Sequence, residues 1–151
     1  MKNSFKLLFI IVLSLALSNS ISAQDNKSTD HGNALNVFVS FGHNTAISAN
    51  YEINLSNDIT FAPEAKIWFA GVNEIALGAR ADYYFDRIMN LSSSWDIWAG
   101  IDGSILIDGK SDFYLNLHAG VEYALSSKWG VIAEFGGGKA TSGGIGIAFH
   151  L

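Results

Sequence analysis

The 151-residue chain reads as all-β: an eight-stranded antiparallel up-and-down transmembrane β-barrel. Three observations predict this. An apolar N-terminal run has the form of a secretory address. From Leu35 onward, apolar and non-apolar residues alternate with a period of two through eight segments. Aromatic residues collect at the ends of those segments, and aliphatic residues fill their middles.

The address comes first. Lys2 and Lys6 form a basic start, Leu7 to Leu17 is an apolar run broken by Ser14, and Ser20, Ser22 and Ala23 supply small residues before a cut after Ala23. The run falls short of the roughly 20 apolar residues a spanning helix needs, so residues 1–23 are expected to be a cleaved signal peptide. Residues 24–34 are polar from Gln24 to Asn33 and are expected to form a short flexible leader. Residues 35–151 are expected to form the barrel.

The eight segments follow in order. The first sets Leu35, Val37, Val39 and Phe41 against Asn36, Phe38, Ser40 and Gly42. The second sets Ile47, Ala49, Tyr51 and Ile53 against Ser48, Asn50, Glu52 and Asn54. The third sets Ile59, Phe61, Ala65, Ile67 and Phe69 against Thr60, Ala62, Glu64, Lys66 and Trp68. In the fourth, Ile75, Leu77, Ala79, Ala81, Tyr83 and Phe85 oppose Glu74, Gly78, Arg80, Asp82 and Tyr84. In the fifth, Trp95, Ile97, Ala99, Ile101, Ile105 and Ile107 oppose Asp96, Trp98, Gly100, Asp102 and Ser104. In the sixth, Phe113, Leu115, Leu117, Ala119, Val121 and Tyr123 oppose Tyr114, Asn116, His118, Gly120 and Glu122. The seventh opposes Trp129, Val131, Ala133 and Phe135 to Gly130, Ile132, Glu134 and Gly136, and the last opposes Ile145, Ile147, Phe149 and Leu151 to Gly144, Gly146, Ala148 and His150.

Turn-forming clusters separate the segments: Gly42 to Asn44, Ser56 to Asp58, Gly71 to Asn73, Asp108 to Lys110, Ser126 to Lys128 and Gly136 to Gly144. The longest connection runs from Asp86 to Ser94. A helical period is absent throughout. Segments of about 10 residues match the length of a membrane-crossing strand. An even strand count closes the first strand on the last, as lipid requires, because an open sheet edge cannot stay unpaired in hydrocarbon.

Composition narrows the function classes. Only 15% of residues are charged, and the formal charge is -5. An acidic chain lacks the basic contacts that nucleic acid demands. The absence of cysteine excludes a disulfide scaffold, a thiolate zinc site and a lipid-modified N-terminal cysteine. No metal-ligand spacing or glycine-rich phosphate loop stands out, so no cofactor, metal or catalytic residue is expected.

The two faces decide between solvents. The apolar face carries no charge in any segment. The other face mixes charge with Gly, Ala, Ser and Asn, which suits the narrow interior of a small barrel. With the termini on the periplasmic side, that end gathers an outward girdle of Tyr51, Phe61, Tyr83, Phe85, Trp95, Tyr123, Trp129 and Phe149. Aromatic rings favour the headgroup level, and aliphatic side chains favour hydrocarbon. The inward face gathers a charge network of Glu52, Glu64, Lys66, Arg80, Asp82, Asp102, His118, Glu122 and Glu134. Charges at membrane depth must pair or be hydrated. Lys66 and Arg80 are therefore expected between Glu52, Glu64 and Glu122, and an open lumen would prefer cations.

The pattern resembles the small eight-stranded outer-membrane barrels of the OmpA/OmpX transmembrane type, over residues 35–151. The last segment, Gly144 to Leu151, resembles the C-terminal signal of such barrels, with Phe149 two positions before the end. Gly78 to Phe85, Trp95 to Gly100, and Lys128 to Val131 with Glu134 to Gly138 are similar to stretches of porin-like barrel proteins of Gram-negative bacteria. The resemblance implies a location in the outer membrane, among its lipid and lipopolysaccharide. It implies insertion by the barrel-assembly machinery, and a monomer. It implies no defined activity.

The expected function is a non-enzymatic integral outer-membrane barrel, structural or narrowly porin-like, with a charged and mostly filled lumen. Two alternatives stand beside it. A soluble periplasmic lipocalin-like barrel would bind an apolar ligand with its faces inverted. A lipid-A-modifying barrel enzyme would need a nucleophile beside a base, with His43, Thr45, Asp112, Thr141 and Ser142 as outer-end candidates.

Overall fold

The computed structural model describes residues 32–42, 45–70, 72–107, 113–138 and 143–151. The signal-peptide expectation and all of the leader before Gly32 lie outside them. Eight strands follow one another: β1 Ala34–Phe41, β2 Thr45–Ser56, β3 Ile59–Ala70, β4 Val72–Tyr84, β5 Trp95–Leu106, β6 Phe113–Ala124, β7 Trp129–Gly138 and β8 Gly143–His150. Each pairs antiparallel with its neighbours in sequence, and β1 pairs with β8, so the sheet is a closed up-and-down barrel. Closure leaves no edge strand.

The seam is a full ladder, running from Ala34 opposite His150 to Phe41 opposite Gly143. Beyond it, the Leu151 amide donates to the Asn33 carbonyl at 2.9 Å. The end of the expected leader is thereby tied into the barrel, and Ala34 already belongs to β1. β1 therefore begins, and β8 ends, at the same end of the barrel, called the terminal end below.

Burial alternates along most of the described strand residues. In β1, Ala34, Asn36 and Phe38 are buried while Leu35, Val37 and Val39 are exposed. In β3, Ala62, Glu64, Lys66 and Trp68 are buried while Phe61, Ile67 and Phe69 are exposed. The period of two turns one face of each strand to the interior and the other outward. The outward face is apolar, with Ile47, Ile101, Leu117, Val131 and Ile147 all exposed. The interior holds the charges, so the faces have the opposite sense to a lipocalin-like barrel.

Two features depart from the sequence reading. The connection after β4 contains a one-turn helix, α1 Asp86–Met89, where no helix is expected. Four residues are too few to display a helical period. The turn holds locally: the Asp86 side chain accepts from the Ile97 amide at 2.9 Å, and Asn90 closes it in the left-handed region, φ 51°. The other departure is that strands consume residues read as turns. Val72 and Asn73 belong to β4, and β7 and β8 extend to Gly138 and from Gly143.

Candidate functional site

The site is the barrel interior, and it is layered. Near the terminal end, Phe38, Tyr84, Trp98, Ile132 and Ala148 form a buried apolar cluster. The rings of Tyr84 and Trp98 lie 5.6 Å apart. Near the far end, Ala46, Trp68, Ala76 and Leu106 form a second cluster, with Tyr114 packed on it. The rings of Trp68 and Tyr114 lie 5.1 Å apart. Tyr84 ends β4 and Leu106 ends β5, which fixes the two layers at opposite mouths.

Between them lies the charged layer. Lys66 on β3 reaches Glu64 at 3.0 Å and Asp102 on β5 at 2.9 Å. Asn116 on β6 donates to the same Asp102 at 2.9 Å. Arg80 on β4 donates Nε to Asp82 at 2.7 Å and crosses the lumen to Glu134 on β7 at 2.7 Å. Its guanidinium sits 5.6 Å from the centre of the Phe38 ring, a favourable cation–π distance. His118 lies between two carboxylates, with Nε2 2.5 Å from Asp82 and Nδ1 3.3 Å from Asp102. A buried charge is tolerable when paired and hydrogen-bonded. Here each buried cation has two carboxylate partners.

Glu52 and Glu122 take other partners than the cations expected for them. Glu52 accepts from Asn36 Nδ2 at 2.9 Å and from the Tyr84 hydroxyl at 2.5 Å. Glu122 faces His150 Nε2 at 2.7 Å. Both lie toward the terminal end, beside the aromatic layer, while Lys66 and Arg80 lie deeper.

Glycines make the room. A Cβ built on Gly100 would collide with the Asp82 carboxylate and stand 2.7 Å from His118 Nε2. One built on Gly130 would collide with Glu122. Small residues on one strand therefore receive the long polar side chains of the next, as a narrow barrel requires.

Outside, the aromatic residues near the terminal end pair across neighbouring strands. Trp95 and Tyr123 stand 4.8 Å apart, and so do Trp129 and Phe149. Along the chain at the end of β4, Tyr83 and Phe85 stand 5.1 Å apart. Phe61 is exposed opposite Ile53, and Tyr51 is half-buried opposite Leu35. Of the enzyme candidates, Thr45 opens β2 opposite Phe69; His43, Asp112, Thr141 and Ser142 lie outside the described residues. Among the described residues, no group of three or more His, Cys, Asp or Glu side chains is arranged to hold a metal.

The inward aromatics were missed as a site. Phe38, Trp68, Tyr84, Trp98 and Tyr114 fall on the inward face by parity, and large rings on a face otherwise rich in Gly, Ser and Asn are the signal that marks them.

Fold and interior define a class: closed eight-stranded barrels with a charged, layered lumen and an apolar exterior. No family model matches the chain, and no curated protein does. Solved structures supply the likeness. The chain is similar to a de novo designed transmembrane β-barrel, with TM-score 0.63 and 14% identity, over 83% of this chain and 98% of that one. It is similar to the N-terminal β-barrel domain of Pseudomonas aeruginosa OprF, with TM-score 0.55 and 14% identity, over 78% of this chain and 95% of that one. The fold is that of the small transmembrane barrels.

Proposed function

We propose that the chain is an integral barrel of the outer membrane of a Gram-negative bacterium, with a structural, non-enzymatic role and a lumen that is filled instead of open. One observation carries the reading: the charges are buried inside while Leu, Ile, Val and Phe cover the outside. Water would favour the reverse arrangement, and lipid favours this one. The likeness to transmembrane barrels supports it. Apolar layers at both mouths, with paired charges between them, favour a plug over a pathway. The contacts of His118 run to carboxylates and Arg80, which is a packed ion network and not a nucleophile held beside a base.

Lipid and lipopolysaccharide are the proposed surroundings, the barrel-assembly machinery the partner during biogenesis, and the monomer the working form. The test compares unboiled and boiled protein from a washed outer-membrane fraction on a gel. A heat-dependent mobility shift in that fraction is expected. Recovery in the soluble periplasm without a shift would overturn the reading.

A further inference from the structure

We infer that the turns of the terminal end are themselves seated in lipid, so that the boundary of the membrane lies at those turns and not at the aromatic girdle above them. This inference rests on the membrane reading and extends it. Each connection at that end carries an exposed aliphatic side chain. Leu55 stands beside the β2–β3 turn, Ile88 and Met89 are on α1, Leu125 follows β6, and Leu151 follows β8. They are exposed by 55% at Met89 up to 72% at Leu151.

Single exposed aliphatics on a protein surface need no explanation. A set that recurs at or beside every turn of one end does. Leu125 and Leu151 also keep the outward parity of their strands, continuing Tyr123 and Phe149, and Leu55 is exposed at the register shift between Asn54 and Ser56. The apolar exterior thus continues past the aromatic rings as far as the turns, where Ser56, Asn57, Ser126 and Ser127 are exposed beside the aliphatics. Phe61 shows the offset: it faces Ile53 in register, while Leu55 and Ile59 are still exposed beyond it.

The same rim carries Arg87, exposed and paired with Asp58, and the exposed Lys128. Basic side chains beside aliphatics suit the headgroup–acyl boundary, where the stem lies in the apolar layer and the charge reaches the phosphates. The occupant of this surface is therefore the lipid leaflet that surrounds the barrel.

The chain has no cysteine, so single cysteines can carry a nitroxide label without background. Leu55→Cys, Met89→Cys and Leu125→Cys would be labelled in barrels reconstituted into phosphatidylethanolamine–phosphatidylglycerol vesicles. Leu117→Cys serves as the mid-exterior reference and the free nitroxide in buffer as the water reference. Collision with oxygen and with a water-soluble nickel chelate is then measured by electron paramagnetic resonance.

The three rim labels are expected to group with Leu117→Cys, rich in oxygen collisions and poor in nickel. If they group with the free nitroxide while Leu117→Cys remains in lipid, the inference is overturned and the membrane reading stands. If Leu117→Cys itself meets the nickel chelate freely, the membrane reading fails and the inference with it. Rim labels shielded from both probes would mean that protein covers the rim, which also overturns lipid as the occupant.

Discussion

Gly120 and Trp98 face each other in the β5–β6 register, and the indole of Trp98 occupies the space that a side chain at Gly120 would need. A Cβ at Gly120 would collide with two ring carbons and come within 2.8 Å of Nε1. Adding one methyl group must therefore move the ring that anchors the terminal-end apolar layer. Overpacking of this kind costs about 1–3 kcal/mol. Gly120→Ala is expected to lower the denaturant midpoint of the barrel in vesicles and to shift tryptophan emission. An unchanged midpoint would show that the ring has room to yield.

Arg80 stands between Asp82 and Glu134. Arg80→Met would remove the cation shared by Asp82 and Glu134, leaving Asp82 with His118 alone. Removing one partner of a buried ion pair costs about 3–5 kcal/mol. Arg87→Met, at a side chain 55% exposed, is expected to change stability by less than about 0.5 kcal/mol. Unfolding midpoints of the two variants, measured side by side, check the contrast; equal losses would contradict the layered interior.

Leu117 lies mid-strand on the exterior, and Ala119 follows it on the same face. A lysine at Leu117 would meet hydrocarbon at the bilayer midplane, at a cost of about 2–4 kcal/mol. Leu117→Lys is expected to insert poorly into vesicles, scored by the heat-dependent gel shift. Normal insertion would argue that this face meets water.

The two apolar layers make a prediction about current. Wild-type barrels in planar bilayers are expected to show no sustained conductance. Joint removal of Trp68 and Trp98, both only 3% exposed, is expected to yield conductance steps that prefer cations, because carboxylates outnumber Lys66 and Arg80 in the layer exposed. The heat shift of the same double variant confirms that it is folded. Wild-type conductance equal to that of the variant would remove the plug.

Much of this is legible in the sequence. A period of two assigns Lys66, Arg80 and Asp102 to the interior and Ile101 and Leu117 to the exterior, because parity depends only on the strand being extended. Who meets whom inside is another matter. Lys66 faces Ala76 across the β3–β4 ladder, yet its charge partner Asp102 sits on β5, opposite Arg80. That diagonal arises from the tilt and stagger that closure imposes on all eight strands together. Pairing Lys66 with Glu122 by proximity of charge alone ignores that stagger. The short helix α1 escaped for a simpler reason: one turn holds too few residues to show a rhythm.

The seam between β1 and β8 joins the beginning of the barrel to its end, with Leu35 opposite Phe149 and Val39 opposite Ile145. No shorter stretch of the chain can satisfy the outer edge of β1. Until its final strand is available, every precursor carries two bare sheet edges, a template for aggregation. Contacts so distant in sequence also form slowly. Closure must therefore wait for β8, and the last strand of the barrel decides when the sheet loses its edges.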